Sequence, residues 1–377
     1  MKDKIITFLL MSIIIGIVGI IGTLAYIVYT EITAEGTIEL HFESDTGFPT
    51  IEYIPKNEDL SNIILDDNMF SGVEGTTQTS SPTTTTNSMQ SRHLYKQLDH
   101  TAKIFYSKLY ENKENLKTGT YKLDFGNAFQ TLLSEEGGDA KLKAQYQSAI
   151  EALIYENPDI FYLDVTKMYI NIEKITKITG TKYNVYIDQG TDFSYLTDGF
   201  YSKEDVEKYE AQIEQAKNSI LLKVQGQNDY QKIKTIHNYL IDNIEYEEDL
   251  TQSNIYDIYG ALVKKRCVCE GYAKAFQYLM NEVGIENTIV IGVGTNSKYQ
   301  TENHAWNYVK LSEKWYAVDV TWDDPIITGG GWLTNKSRYK YFLKGANTMN
   351  ENHRSSGRFT QGGQLFTYPE LSIEDYE

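Results

Sequence analysis

Residues 266–283 read RCVCEGYAKAFQYLMNEV and residues 304–323 read HAWNYVKLSEKWYAVDVTWD. In the first stretch Tyr272, Phe276, Leu279, Met280 and Val283 fall on one face at helical spacing, and Gly284 follows as a C-terminal stop. A helix is therefore predicted with Cys269 at or just before its N-terminus. Unpaired N–H groups and the helix dipole there favour a thiolate, and they point to where an oxyanion would form. Gly271 either lets a substrate approach the backbone or tolerates a tight lead-in to the helix. Cys267 lies on the incoming loop, lacks the helix-start position, and reads as a bystander.

The run TIVIGVG (288–294) reads as a strand, followed by a polar loop to Asn303. Residues 304–311 and 314–322 then form a β-hairpin pattern around Ser312-Glu313. With a two-residue turn Leu311 faces Lys314, His304 faces Thr321, and Asp319 is the diagonal neighbour of His304 on the same sheet face. A register two residues out of step puts His304 directly opposite Asp319. Either register brings imidazole and carboxylate within reach.

Thiol catalysis needs that arrangement. An imidazole activates the Cys, and a third group orients the imidazole. Asp319 would accept from one ring nitrogen of His304, leaving the other for the thiol. Each residue alone has a plain reading: a lone Cys is a small core residue, a lone His packs on a strand, and an Asp closes one. The joint pattern, a Cys at a helix start followed by a hairpin carrying His and Asp, favours catalysis.

At these residues the chain resembles the transglutaminase-like superfamily, in particular its bacterial members. The matching motifs are Val268-Cys269-Glu270-Gly271-Tyr272-Ala273, His304-Ala305-Trp306-Asn307 and Trp315 to Asp323. The resemblance implies an α+β, papain-like core, a Cys-bearing helix packed on an antiparallel sheet. It implies Cys269 as nucleophile, His304 as general base and acid, and Asp319 as orienting carboxylate. The implied reaction is acyl transfer through a thioester, to an amine in cross-linking or to water in proteolysis or deamidation. Some family members carry an upstream Trp as oxyanion stabiliser. Here all four Trp follow Cys269, which leaves Tyr256 or Tyr259 as substitutes. His353 looks like a recurrent His of the bacterial members, with no role read for it.

Composition narrows the class. A net charge of −17 argues against nucleic acid, whose binding needs a basic stripe. Two Cys separated by one residue cannot make a disulfide framework, and an i,i+2 bridge would be strained. The six scattered His show no metal-ligand spacing, so neither a metal nor a cofactor is expected. Asp323-Asp324 reads as a solvated turn rather than a Ca²⁺ site, and Gly329–Gly331 as a flexible loop.

The rest of the chain sets the context. Residues 1–4 read as a cytoplasmic N-terminus. Residues 5–29 form an uncharged apolar run longer than the ~20 residues that cross a bilayer. Lys2 and Lys4 before it and Glu31 and Glu35 after it place the remainder outside, as a single-pass signal anchor of the cell membrane. Residues 30–75 have no assigned role, although 37–55 alternate like short strands. Residues 76–92 (TTQTSSPTTTTNSMQSR) read as a Thr/Ser-rich linker. Residues 93–225 read as an N-terminal α/β region. It is helical to Asn157-Pro158, strand-like at FYLDV (161–165), and β-rich from 166 to 200 with a turn at 179–181. It ends in a helix started by Ser202 and marked by Val206, Tyr209, Ile213, Ala216 and Ile220. Residues 226–377 read as the transglutaminase-like domain, opening with a helix from about Asp229 to Asn243. The expectation is an extracellular thiol acyltransferase or cysteine peptidase acting on protein or peptide substrates, cell-wall material among them. The alternative is a catalytically silent surface module that keeps the fold for binding.

Overall fold

The computed structural model describes residues 92–178, 180–295, 301–324, 335–360 and 363–377. The expectations for 1–4, 5–29, 30–75, Gly329–Gly331 and all of 76–92 except Arg92 lie outside the described residues. Among the described residues no helix is long and apolar enough to cross a membrane.

Among the described residues the first α-helix is α1 (His100–Glu111), whose first turn is capped by Asp99 accepting from the Ala102 N–H. A short strand β1 (Leu123–Gly126) follows, then the long α2 (Gly138–Glu156). The residues 161–165 are not the expected strand. Leu163 makes a single bridge to Leu196, and Val165–Lys167 is a 3-10 turn started by Asp164. The hairpin β2 (Tyr169–Lys177) and β3 (Gly180–Asp188) completes an antiparallel sheet in the order β1-β3-β2. Gly180, with φ of 129°, occupies the turn region that the sequence marks.

Two helices lead to the site. In α3 (Lys203–Leu221) the Ser202 hydroxyl accepts from the Asp205 N–H, and Val206, Ile213 and Ile220 are buried along one stripe. In α4 (Asp229–Asn243) Asn228 and Gln231 form a reciprocal capping box. A two-residue parallel pair then joins β4 (Glu245–Tyr246) to β5 (Arg266–Cys267). It delivers the chain into α5 (Cys269–Glu282).

Helix α5 packs on the second sheet, ordered β8-β7-β6-β9. Its strands are β6 (Asn287–Thr295), β7 (Thr301–Leu311), β8 (Lys314–Val318) and β9 (His353–Ser355). All neighbours in it are antiparallel. The β7–β8 turn has two residues, Ser312 and Glu313, both with positive φ, and Leu311 faces Lys314. Such turns match the twist of the flanking strands. One apolar cluster joins Phe105, Phe125 and Tyr146 of the N-terminal region to Phe276, Leu279, Val309 and Val318 beneath the site.

Candidate active site

Cys269 is the first residue of α5, after an extended Val268, and is partly exposed, whereas Cys267 is buried. Both thiols are free. Gly271 has a packing reason: a Cβ there would lie 2.5 Å from Cys267 Cβ and 2.9 Å from the Ile255 carbonyl oxygen. The glycine thus lets α5 sit directly on the β5 strand. Burial, followed by the Asp257 charge, pushes the Cys267 thiol up, which fits an inert core residue.

His304 lies on β7 opposite Gly292. Its Nε2–H donates to Asp319 Oδ2 at 2.7 Å, and both side chains are almost completely buried. The remaining nitrogen, Nδ1, is left for the thiol, and Cys269 lies close enough to act on the ring. Burial alone would lower the His304 pKa, but the Asp319 charge and hydrogen bond, joined by Cys269, push it up to about 10. Asp319 is fully buried; His304 and His353 outweigh that burial and hold its carboxyl well below the usual range.

Asp319 reaches His304 by a route other than the expected one. Strand β8 stops at Val318, and residues 320–323 are a helical turn, not a continued strand. Asp319 is its N-cap, with Oδ1 accepting from the Trp322 N–H at 3.1 Å. Capping frees Oδ2 to face the imidazole, while the Asp319 N–H donates to the Tyr341 carbonyl at 3.1 Å. The expected solvated turn at Asp323-Asp324 is also corrected. Asp323 is buried and accepts from His237 Nε2 at 3.0 Å and from the Tyr341 N–H at 2.8 Å. Asp324 accepts from the Tyr272 hydroxyl at 2.7 Å.

Two site residues are not legible in the local sequence. His353, on β9 opposite Gly294, presents Nε2 to Asp319 Oδ2 at 3.0 Å. Tyr246, on β4, is the phenol beside Cys269. Burial and then the nearby Cys269 charge push it up, and the Cys269 backbone N–H lies close to it. Among the tyrosines weighed for this position, Tyr256 and Tyr259 are placed differently. Tyr259 instead turns its hydroxyl to Gln212 of α3 at 3.2 Å, and Tyr256 is half exposed. The β4–β5 pairing puts Tyr246 beside Cys267, two residues from Cys269.

Gly292 and Gly294 make room on one face of β6. A Cβ at Gly292 would lie 2.8 Å from the Trp306 ring, and one at Gly294 would lie 2.6 Å from the Trp322 ring. The indoles instead flank His304, with ring centroids 5.9 Å and 5.0 Å away. Further out, Tyr155 of α2 packs in the same small apolar cluster as Cys269, stacks on Phe359 at 4.1 Å, and lies near the Glu270 carboxylate.

His304, Asp319 and His353 offer three buried ligand atoms within 4.8 Å of one another. That composition suits a zinc-type set. Both imidazole nitrogens already lie at hydrogen-bond distance from one carboxylate oxygen, so matched donors and acceptor account for the cluster.

Residues 219–320 match the family model described as the Transglutaminase-like superfamily. Cys269, His304 and Asp319 fall within the matched segment, whereas His353 does not. The kyphoscoliosis peptidase of Mus musculus is 24% identical over 162 residues, covering 40% of this chain and 21% of that protein. The chain thus spans about a fifth of the length of the curated relatives it matches. The crystal structure of a TGase is 16% identical, with a TM-score of 0.28 over 47% of this chain and 50% of that one. The periplasmic domain of TgpA from Pseudomonas aeruginosa, bound to ethylmercury, is 15% identical with a TM-score of 0.23. It covers 38% of this chain and 56% of that one.

Proposed function

We propose that the chain is a thiol enzyme that transfers or hydrolyses the acyl group of protein or peptide amides. Cys269 is the nucleophile, His304 the proton carrier and Asp319 the orienting carboxylate. The carrying observation is that His304, with Cys269 beside it, has a buried carboxylate 2.7 Å from its Nε2. The sulfur attacks the amide carbon, and the oxyanion gathers near the Cys269 N–H and the Tyr246 hydroxyl. The C–N bond breaks as the leaving amine takes the His304 proton, and a thioester remains. An incoming amine or water then attacks the thioester carbon and gives its proton to His304, and the C–S bond breaks to restore the thiolate. The uncharged run 5–29 and its flanking charges support a membrane tether with the site outside the cell.

The test pairs fluorescent amine incorporation with peptide cleavage on the full chain, against Cys269→Ala. Activity in either assay that vanishes in the variant supports the reading and selects the acceptor. Silence in both, with Cys269 alkylation indifferent to His304→Ala, overturns it and leaves a binding module.

A further inference from the structure

We propose that His353 is a positioning residue for the reaction proposed above, holding the Asp319 carboxylate in the orientation that His304 needs. The inference rests on the reading of Cys269, His304 and Asp319 given there.

Asp319 Oδ2 accepts from two imidazoles, His304 at 2.7 Å and His353 at 3.0 Å, while Oδ1 is occupied by the Trp322 N–H. The two imidazoles come from opposite neighbours of β6, His304 from β7 and His353 from β9, set against Gly292 and Gly294. A side chain at either glycine would meet the indoles packed around these rings. The space over β6 is therefore shaped for both rings to converge on one oxygen.

His353 is itself anchored. Its Nδ1 faces Asn352 Oδ1 at 2.8 Å, and Asn352 Nδ2 donates to the Tyr341 hydroxyl at 2.6 Å. Tyr341 in turn accepts the Asp319 N–H on its carbonyl. The bonds close a ring through Asp319, His353, Asn352 and Tyr341, tying both backbone and carboxylate of Asp319 to one frame. A carboxylate with two rigid donors on one oxygen cannot rotate away from His304.

The experiment measures iodoacetamide alkylation of Cys269 at neutral pH in the full chain, with Cys269→Ala as blank. His353→Gln keeps an N–H donor near Nε2 but loses the ring; His353→Phe keeps a ring but loses the donor. Positioning predicts that His353→Phe slows alkylation ~10-fold, the order expected for losing a hydrogen bond to a charged group. His353→Gln then stays within roughly threefold of the parent, even if it melts earlier. A purely structural role predicts the reverse order, and that result, or equal losses in both variants, overturns the proposal. If His353→Phe fails to fold, Tyr341→Phe removes only the hydroxyl behind Asn352. A roughly two- to fivefold loss there supports the proposal, and none overturns it. His304→Ala separates the two levels. If it leaves the rate unchanged, the underlying site reading fails; if it acts while His353→Phe does not, only this inference fails.

Discussion

His237 Nε2 lies 3.0 Å from Asp323 Oδ2, with both side chains sealed from solvent. This second His–Asp pair sits one turn beyond Asp319, and the Asp323 N–H donates to the Asp319 carbonyl. Its other carboxylate oxygen holds the Tyr341 N–H, so the pair braces the segment that receives the Asp319 backbone. Removing one partner of a buried pair leaves the other unmatched and costs about 3–5 kcal/mol. Asp323→Ala should therefore lower the unfolding free energy by that amount, seen as a lower urea midpoint at an unchanged slope. A loss below about 1 kcal/mol would show that the pair bears no structural weight.

Stability should also depend on pH through His304. Below pH 6.5 its imidazole is protonated whether folded or unfolded, and the contribution of its pair with Asp319 is present in full. From 6.5 up to about 10 the folded state keeps a proton that the unfolded chain releases. The contribution therefore falls as pH rises through that window and is gone above it. The difference in unfolding free energy between the parent and His304→Gln should shrink steadily across the same range. A difference independent of pH would mean that Asp319 does not hold the imidazole charged.

Tyr246→Phe removes a hydroxyl beside the Cys269 N–H and leaves the ring in place. Loss of one oxyanion-hole donor typically costs about 100-fold or more in turnover. The variant should lose turnover on that order on any amide substrate, with alkylation of Cys269 close to the parent rate. Equal losses in both would place Tyr246 in thiol activation instead.

Gly294→Ala tests the space over β6. Its Cβ would stand 2.6 Å from Trp322, whose ring lies 5.0 Å from that of His304. Overpacking of this kind costs roughly 1–3 kcal/mol. Thermal unfolding should reveal that loss together with slower Cys269 alkylation. An unchanged melting temperature would mean that the indole moves aside freely.

The parts of this site that local periodicity governs were legible. The helix behind Cys269 follows from its 3.6-residue stripe, and the β7–β8 hairpin from the alternation on either side of Ser312-Glu313, whereas the choice between its two possible registers was made only by the structure. The position of Asp319 was half legible. VDVTW alternates like a strand, yet the Asp319 side chain caps a helical turn, an outcome decided by Tyr341 and His304 far along the chain. Tyr246 escaped, and His353 was singled out only by resemblance and without a role, because strands of two and three residues place them through distant pairing, which leaves no local pattern. The spacing of Gly292 and Gly294 was the available clue to crowding above β6. Strand β1 and the irregular course of 161–165 were likewise fixed by packing.

The two-residue ladder between β4 and β5 has a consequence for how such chains tolerate insertions and deletions. Tyr246 faces the nucleophile only because it pairs with Cys267 and not with a neighbour. A one-residue slip turns the opposite side chain inward, and here both neighbours, Glu245 and Glu247, are acidic. Such a slip would set a carboxylate against the thiolate and oxyanion in place of a phenol. Indels should therefore be accepted in the exposed stretch 248–253 and rejected within 244–247 or 265–269, which a library of single-residue insertions would map directly.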